Sequence, residues 1–315
     1  MQGFSGTSRF LAVLCAALVS GTALAGTAAA DDRLPVIHSG VAASAHAAAR
    51  PGTDPAGAND FSCTPTAAHP RPVVLVHGTV SNMTYSWFSL APRLADEGYC
   101  VFAFNYGQRT GSGLGLPGAI PAGGTAPVPE SAQQLAAFVD RVRAATGSAQ
   151  VDLVGHSQGG MMPRYYLDRL GGAAKVRHLV GLSPSNHGTD VDGLARLPGV
   201  PDLLRIGMGD SVRDQMHDSA FMAELAARPE TAPGVDYTVI QTRYDEVVTP
   251  YTSAFLDGPG VRNVLLQDGC PINTTDHLGV TFDSRAEQYV LNALDPEHAA
   301  EPPCVPSPPV NAARR

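Results

Sequence analysis

The strongest constraint on this chain is the stretch Val151-Asp152-Leu153-Val154-Gly155-His156-Ser157-Gln158-Gly159-Gly160. An apolar run of β character passes straight into G-x-S-x-G, and a helix-compatible segment, Met161 to Leu170, follows at once. Strand, sharp turn and helix in that order lift a serine hydroxyl above the end of a sheet. The positions two residues either side of the serine must be glycine, because a side chain there collides with the turn. The backbone N–H of Gln158, at the start of the helix, points to where an oxyanion forms in acyl transfer. In a chain with 33 glycines the short pattern alone recurs by chance, and its flanking elements are what make Ser157 a candidate nucleophile.

The same texture recurs along the chain. Val73 to Val76, Val101 to Phe104, Val176 to Leu182, Tyr237 to Gln241 and Val261 to Leu266 read as buried strands. Between them lie helical patterns, the clearest from Pro129 to Ala145, where Leu135, Phe138, Val139 and Val142 share one face and Gly147 marks the end. This alternation predicts an α/β fold with a mostly parallel, doubly wound sheet flanked by helices. Two stretches break it. Residues 107–129 are dense in glycine and proline, and residues 188–234 form a long insertion with helix-like pieces near Leu203 and from Phe221 to Ala227. Such insertions act as caps or lids. Leu194, Leu197, Leu203, Leu204 and Ile206 within the second either line an acyl pocket or pack a cap.

A serine nucleophile on this fold needs partners in the chain order serine, acid, histidine. Asp245 follows the strand ending at Gln241 and so lies at the carboxyl edge where sites gather, whereas Asp236 precedes that strand and Asp257 sits in a D-G-P-G turn. His277 follows the last strand and precedes a closing helix, Ser284 to Leu294; His187 and His217 come before Asp245, out of order. The expected catalytic residues are Ser157, Asp245 and His277. The expected oxyanion donors are the N–H groups of Thr79 and Gln158, with the Thr79 hydroxyl as a further donor, and His77 reads as a structural residue of its own loop. No metal or cofactor is expected, since this chemistry requires none.

The ends of the chain bear on location. Arg9, the apolar run Phe10 to Val19 and the small residues Ala23-Leu24-Ala25 and Ala28-Ala29-Ala30 read as a secretory signal peptide over residues 1–30. Residues 31–60 read as a flexible or surface-hugging arm, 61–300 as the catalytic domain, and 301–315 as a proline-rich tail pinned through Cys304. Loss of the leader removes Cys15 and leaves Cys63, Cys100, Cys270 and Cys304, an even set that predicts two disulfides. Three connectivities are possible, and the sequence-local one joins Cys63 to Cys100 and Cys270 to Cys304. A net charge of −8 with no basic cluster argues against a nucleic-acid partner, and no later run has the length of a membrane span.

Pro72 to Thr79 (P-V-V-L-V-H-G-T), Gly155 to Gly160 (G-H-S-Q-G-G), Ser183 to Thr189 (S-P-S-N-H-G-T), Tyr244 to Val248 (Y-D-E-V-V) and Asp276-His277 resemble the bacterial class 2 triacylglycerol lipases, and also the lipase B of the yeast Candida antarctica. The resemblance runs over most of residues 61–295 and fails at 107–129 and 188–234. It implies an α/β-hydrolase fold, lipase or carboxylesterase activity and secretion. It carries the nucleophile to Ser157, the acid to Asp245, the base to His277 and the oxyanion donors to Thr79 and Gln158. It also supports the local disulfide pairing. The expectation is a monomer acting on a small-molecule or lipid ester, met at a lipid–water interface where the ester is lipid. A polyester depolymerase, an acyltransferase with the same residues, and an inactive hydrolase fold that only binds are the competing readings.

Overall fold

Val73 and Leu75 face one side of their strand and Val74 and Val76 the other, and all four are buried, so this strand must be covered on both faces. A computed structural model describes residues 33–108 and 122–310 and shows how. The elements follow in the order α1 (Gly40–Ala49), β1 (Val73–Val76), α2 (Met83–Ser86), α3 (Leu90–Asp96), β2 (Val101–Phe104), α4 (Val128–Thr146), β3 (Val151–His156), α5 (Gln158–Arg169), β4 (Val176–Leu182), α6 (Val200–Met208), α7 (Asp210–Asp214), α8 (Ala220–Ala226), β5 (Asp236–Gln241), β6 (Val261–Leu265) and α9 (Ser284–Leu294).

Six strands pair in the order β2-β1-β3-β4-β5-β6, every pair parallel. On one face Val74, Val76, Phe102 and Leu153 pack with Leu135 and Val139 of α4 and Met161 and Met162 of α5. On the other, Val73, Leu75, Val180 and Ile240 pack with Leu90 and Leu94 of α3 and Val290 and Leu294 of α9. The strand order reverses between β1 and β3, and open α/β sheets hold their sites in the crevice outside the carboxyl ends of strands at such a reversal. The loops after β1 and β3 carry Thr79 and Ser157.

Five strand readings agree with the structure to within one residue, β3 runs two residues past the apolar run ending at Val154, and the closing helix agrees at both ends. The Pro129–Ala145 pattern becomes α4, capped by Gly147 at φ 69°. Within the stretch read as a flexible or surface-hugging arm, Gly40–Ala49 form the helix α1. Ser39 caps α1 by accepting from the Ala42 N–H, and the alanine-rich turns that follow bury Ala43 and Ala47. Alanine has no side chain to mark a periodic face, so this helix leaves little pattern in the sequence.

Cys63 is bonded to Cys100 and Cys270 to Cys304. The tail is held by more than its cysteine. Arg285 donates to the carbonyls of Pro302 and Pro303, and the Thr274 N–H donates to Ser307 O at 3.1 Å. The leader assigned to residues 1–30 and most of the first glycine-rich stretch lie outside the described residues.

Candidate active site

The turn after β3 is shaped by what its glycines lack. A Cβ on Gly155 would run into the Gly159 carbonyl, and one on Gly159 would run into the carbonyls of Val76 and His77. With those contacts free to close, Ser157 sits at φ 55°, ψ −122°, a strained backbone for a residue with a side chain, and begins the turn into α5. Its N–H is tied to Leu182 O of β4 at 2.9 Å, so sheet and helix together hold the corner.

His277 and Ser157 line one cavity of about 520 Å³, which also receives Thr79. Asp245 lies behind the imidazole, with Oδ2 2.9 Å from His277 Nδ1, and both side chains are buried. The other carboxylate oxygen, Oδ1, accepts from the N–H groups of Val247 at 2.9 Å and Val248 at 2.7 Å. Burial alone would raise the Asp245 pKa, but the His277 charge and hydrogen bond, with the two amides, bring it below the ordinary carboxylate value. For His277, burial pulls downward, and the attraction of Asp245, then of Glu246 and Asp276, outweighs it and raises the imidazole above its ordinary value. A carboxylate can only accept from Nδ1–H, which leaves Nε2 of the neutral ring as a proton acceptor. The arrangement can take a proton from a hydroxyl and hold the resulting imidazolium.

Gln158 opens α5, next to Ser157, and its side chain meets the β1 loop, where Thr79 Oγ1 donates to Gln158 Oε1 at 2.6 Å. The Thr79 hydroxyl therefore differs from the expectation of a free extra donor, because its only proton is already committed. His77 is buried, with Nδ1 donating to Gly78 O at 2.8 Å and its ring stacked on Tyr106; burial pushes its pKa down to about 4. His187 binds Ser253 O and the Glu230 carboxylate away from the cavity, and neither it nor His217 lines it. Asp236 opens β5 at the far edge of the sheet.

The insertion roofs the cavity with Leu204 and Met208 of α6, Val212 of α7 and Met216. Leu203 and Ile206 on the same helix are 68% and 72% exposed, and Leu194 and Leu197 are also exposed. Those four do not line the cavity, which of the five apolar residues takes only Leu204. Three contributors left no signature in the sequence: Gln215, which bonds to Thr79 and Gln158; His156, whose ring packs beside His277; and Ser44 of α1, in the cavity wall. A lone glutamine at a helix end or a lone serine in an alanine-rich helix carries no spacing rule, and His156 was visible only as the variable position of the motif.

Residues 71–220 match the family model described as alpha/beta hydrolase fold. Over 105 residues, 31% of this chain, the sequence is 35% identical to a triacylglycerol lipase of Pseudarthrobacter phenanthrenivorans, of which the match covers 28%. It is 34% identical over 105 residues to a triacylglycerol lipase of Burkholderia plantarii, covering 25% of that protein. The chain thus spans only about a quarter of the length of these curated relatives. The crystal structure of Aspergillus fumigatus lipase B superposes with a TM-score of 0.59 at 22% identity, over 79% of this chain and 56% of that one. A Bacillus licheniformis lipase in mature form gives 0.53 at 17% identity, over 73% and 94%. The chain has the α/β-hydrolase fold.

Proposed function

We propose that this α/β-hydrolase is a secreted serine lipase or carboxylesterase that hydrolyses carboxylic esters, acylglycerols among them, through an acyl-enzyme on Ser157. The observation that carries the reading is the shared cavity of Ser157 and His277, with Asp245 bonded to the far side of the imidazole at 2.9 Å. His277 Nε2 takes the Ser157 proton as the hydroxyl oxygen attacks the ester carbonyl carbon. The carbonyl oxygen becomes an oxyanion held by the N–H groups of Thr79 and Gln158. Collapse breaks the bond to the alcohol oxygen, which takes the proton back from His277 and leaves the acyl group on Ser157. Water, deprotonated by the same imidazole, then releases the acid. Asp245 keeps the ring in the required tautomer and stabilises its charged form.

The apolar roof of Leu204, Met208, Val212 and Met216 suits the hydrocarbon part of an ester. The exposed Leu203 and Ile206 support contact with a lipid–water interface. The two disulfides and the leader pattern support export. Among the described residues no helix is long and apolar enough to cross a membrane. The reading takes the protein as a monomer that needs no cofactor.

The test is a panel of p-nitrophenyl esters of rising acyl length with an emulsified triglyceride alongside. Native protein is expected to turn over several of them, and His277→Ala to lose about three orders of magnitude or more in kcat. Turnover that survives His277→Ala, or that falls instead with His187→Ala, would contradict the assignment.

A further inference from the structure

Gln215 stands at the carboxyl end of α7, inside the insertion, and its buried amide is fully engaged. Ser185 Oγ donates to Gln215 Oε1 at 2.9 Å. Gln215 Nε2 donates to Thr79 Oγ1 at 2.8 Å and to Ser211 O at 3.1 Å, and lies 3.3 Å from Gln158 Oε1. The Ser211 carbonyl can only accept, which fixes the nitrogen end of the amide. A threonine oxygen accepting from Gln215 must give its single proton elsewhere, and the 2.6 Å bond to Gln158 Oε1 takes it. Donation therefore runs one way, from Ser185 to Gln215 to Thr79 to Gln158.

Thr79 and Gln158 belong to loops after different strands, β1 and β3. Their N–H groups must both lie about 2.7–3.1 Å from one oxyanion, so a small slip of one loop against the other costs transition-state stabilisation. From this geometry we infer that Gln215 is a positioning residue for the oxyanion pocket, locking the Thr79 loop to the start of α5 through their side chains. The inference rests on the ester-hydrolase reading above and adds to it the part that the insertion plays. Gln215 O also accepts from the N–H of Thr189, which lines the cavity, so the same residue joins the roof to the pocket where charge develops. The resting Thr79 hydroxyl is a structural clasp.

A double-mutant cycle tests this. Gln215→Met keeps chain length without hydrogen bonds, and Thr79→Val keeps shape without the hydroxyl. On a soluble ester each single variant is expected to lose about tenfold in kcat with KM changed by less than about twofold, because the lost contact acts in the transition state. If Gln215 works through the Thr79 hydroxyl, the double variant loses no more than the worse single. Should Gln215→Met fail to fold, as its melting temperature will show, Ser185→Ala replaces it in the same cycle, with a few-fold loss and the same lack of additivity. Wild-type kcat in Gln215→Met, a loss confined to KM, or losses that multiply in the double variant would overturn the inference. Fluorophosphonate labelling of Ser157 and ester turnover by the native protein, measured alongside, keep the two claims apart. With both present, an additive cycle removes only the role of Gln215; with both absent, the hydrolase reading falls and takes this role with it.

Discussion

His156 Nε2 lies 2.9 Å from the backbone carbonyl of His277, so the residue before the candidate nucleophile grips the residue proposed as its base. A carbonyl only accepts, and Nε2 therefore carries the proton. Burial, and after it the neighbouring His277 ring, push the His156 pKa down to about 3, which keeps the ring neutral at working pH. This bond ties the loop after β6 to the end of β3, a span of 121 residues.

Loss of that tie should loosen the imidazole without removing any proposed catalytic group. His156→Leu is expected to weaken transition-state binding by about 1 kcal/mol, a factor of about five in kcat, with little change in KM. Steady-state kinetics on a soluble ester check this, and an unchanged kcat would show that the His277 loop is held by other contacts.

The charges around His277 set the pH dependence. The base must be neutral to accept a proton, and its pKa is raised above the ordinary histidine value by Asp245, Glu246 and Asp276 against the pull of burial. Activity should therefore be lost as pH falls through a midpoint above about 6.5, the unperturbed histidine value. His156, the other ionisable group against the ring, stays neutral across this range and contributes no charge. Glu246 Oε2 accepts from the His277 N–H at 3.3 Å, and Glu246→Gln removes its charge while keeping an acceptor. The acid limb of kcat/KM should move to lower pH in that variant; movement to higher pH would contradict the electrostatic account.

Much of this was readable from residue order. Most strands are short runs dominated by apolar residues, because the interior of a parallel sheet covered on both faces tolerates little else, whereas the edge strand β6 carries the exposed Arg262 and Asn263. The candidate site residues could be nominated for a related reason, since the fold places its loops at one sheet edge and chain order then narrows the choice of acid and histidine. What escaped lacked periodicity or followed from tertiary contact. The α1 helix is mostly alanine, and its place in the cavity wall through Ser44 follows from packing on α2 rather than from spacing. Gln215 matters through three bonds to residues 57 to 136 positions or four positions away, which no local pattern encodes. In α6, Leu204 and Leu203 are neighbours with opposite fates, one lining the cavity and the other exposed, so composition could not assign them.

That exposed side of α6 leads to a prediction on substrate form. Leu203→Ser with Ile206→Ser removes apolar surface without touching the cavity lining. Activity on emulsified triglyceride should fall several-fold while kcat/KM on a soluble short-chain ester stays within about twofold, because burial at an interface scales with apolar area. Equal losses on both substrates would assign these residues to the stability of the insertion.

The central claim is that Ser157 is an activated nucleophile. Mass spectrometry of native protein after treatment with a fluorophosphonate measures this directly. The account predicts one adduct, on the peptide carrying Ser157, lost in Ser157→Ala and strongly slowed in His277→Ala. An unlabelled native protein, or one labelled equally after Ser157→Ala, would contradict it.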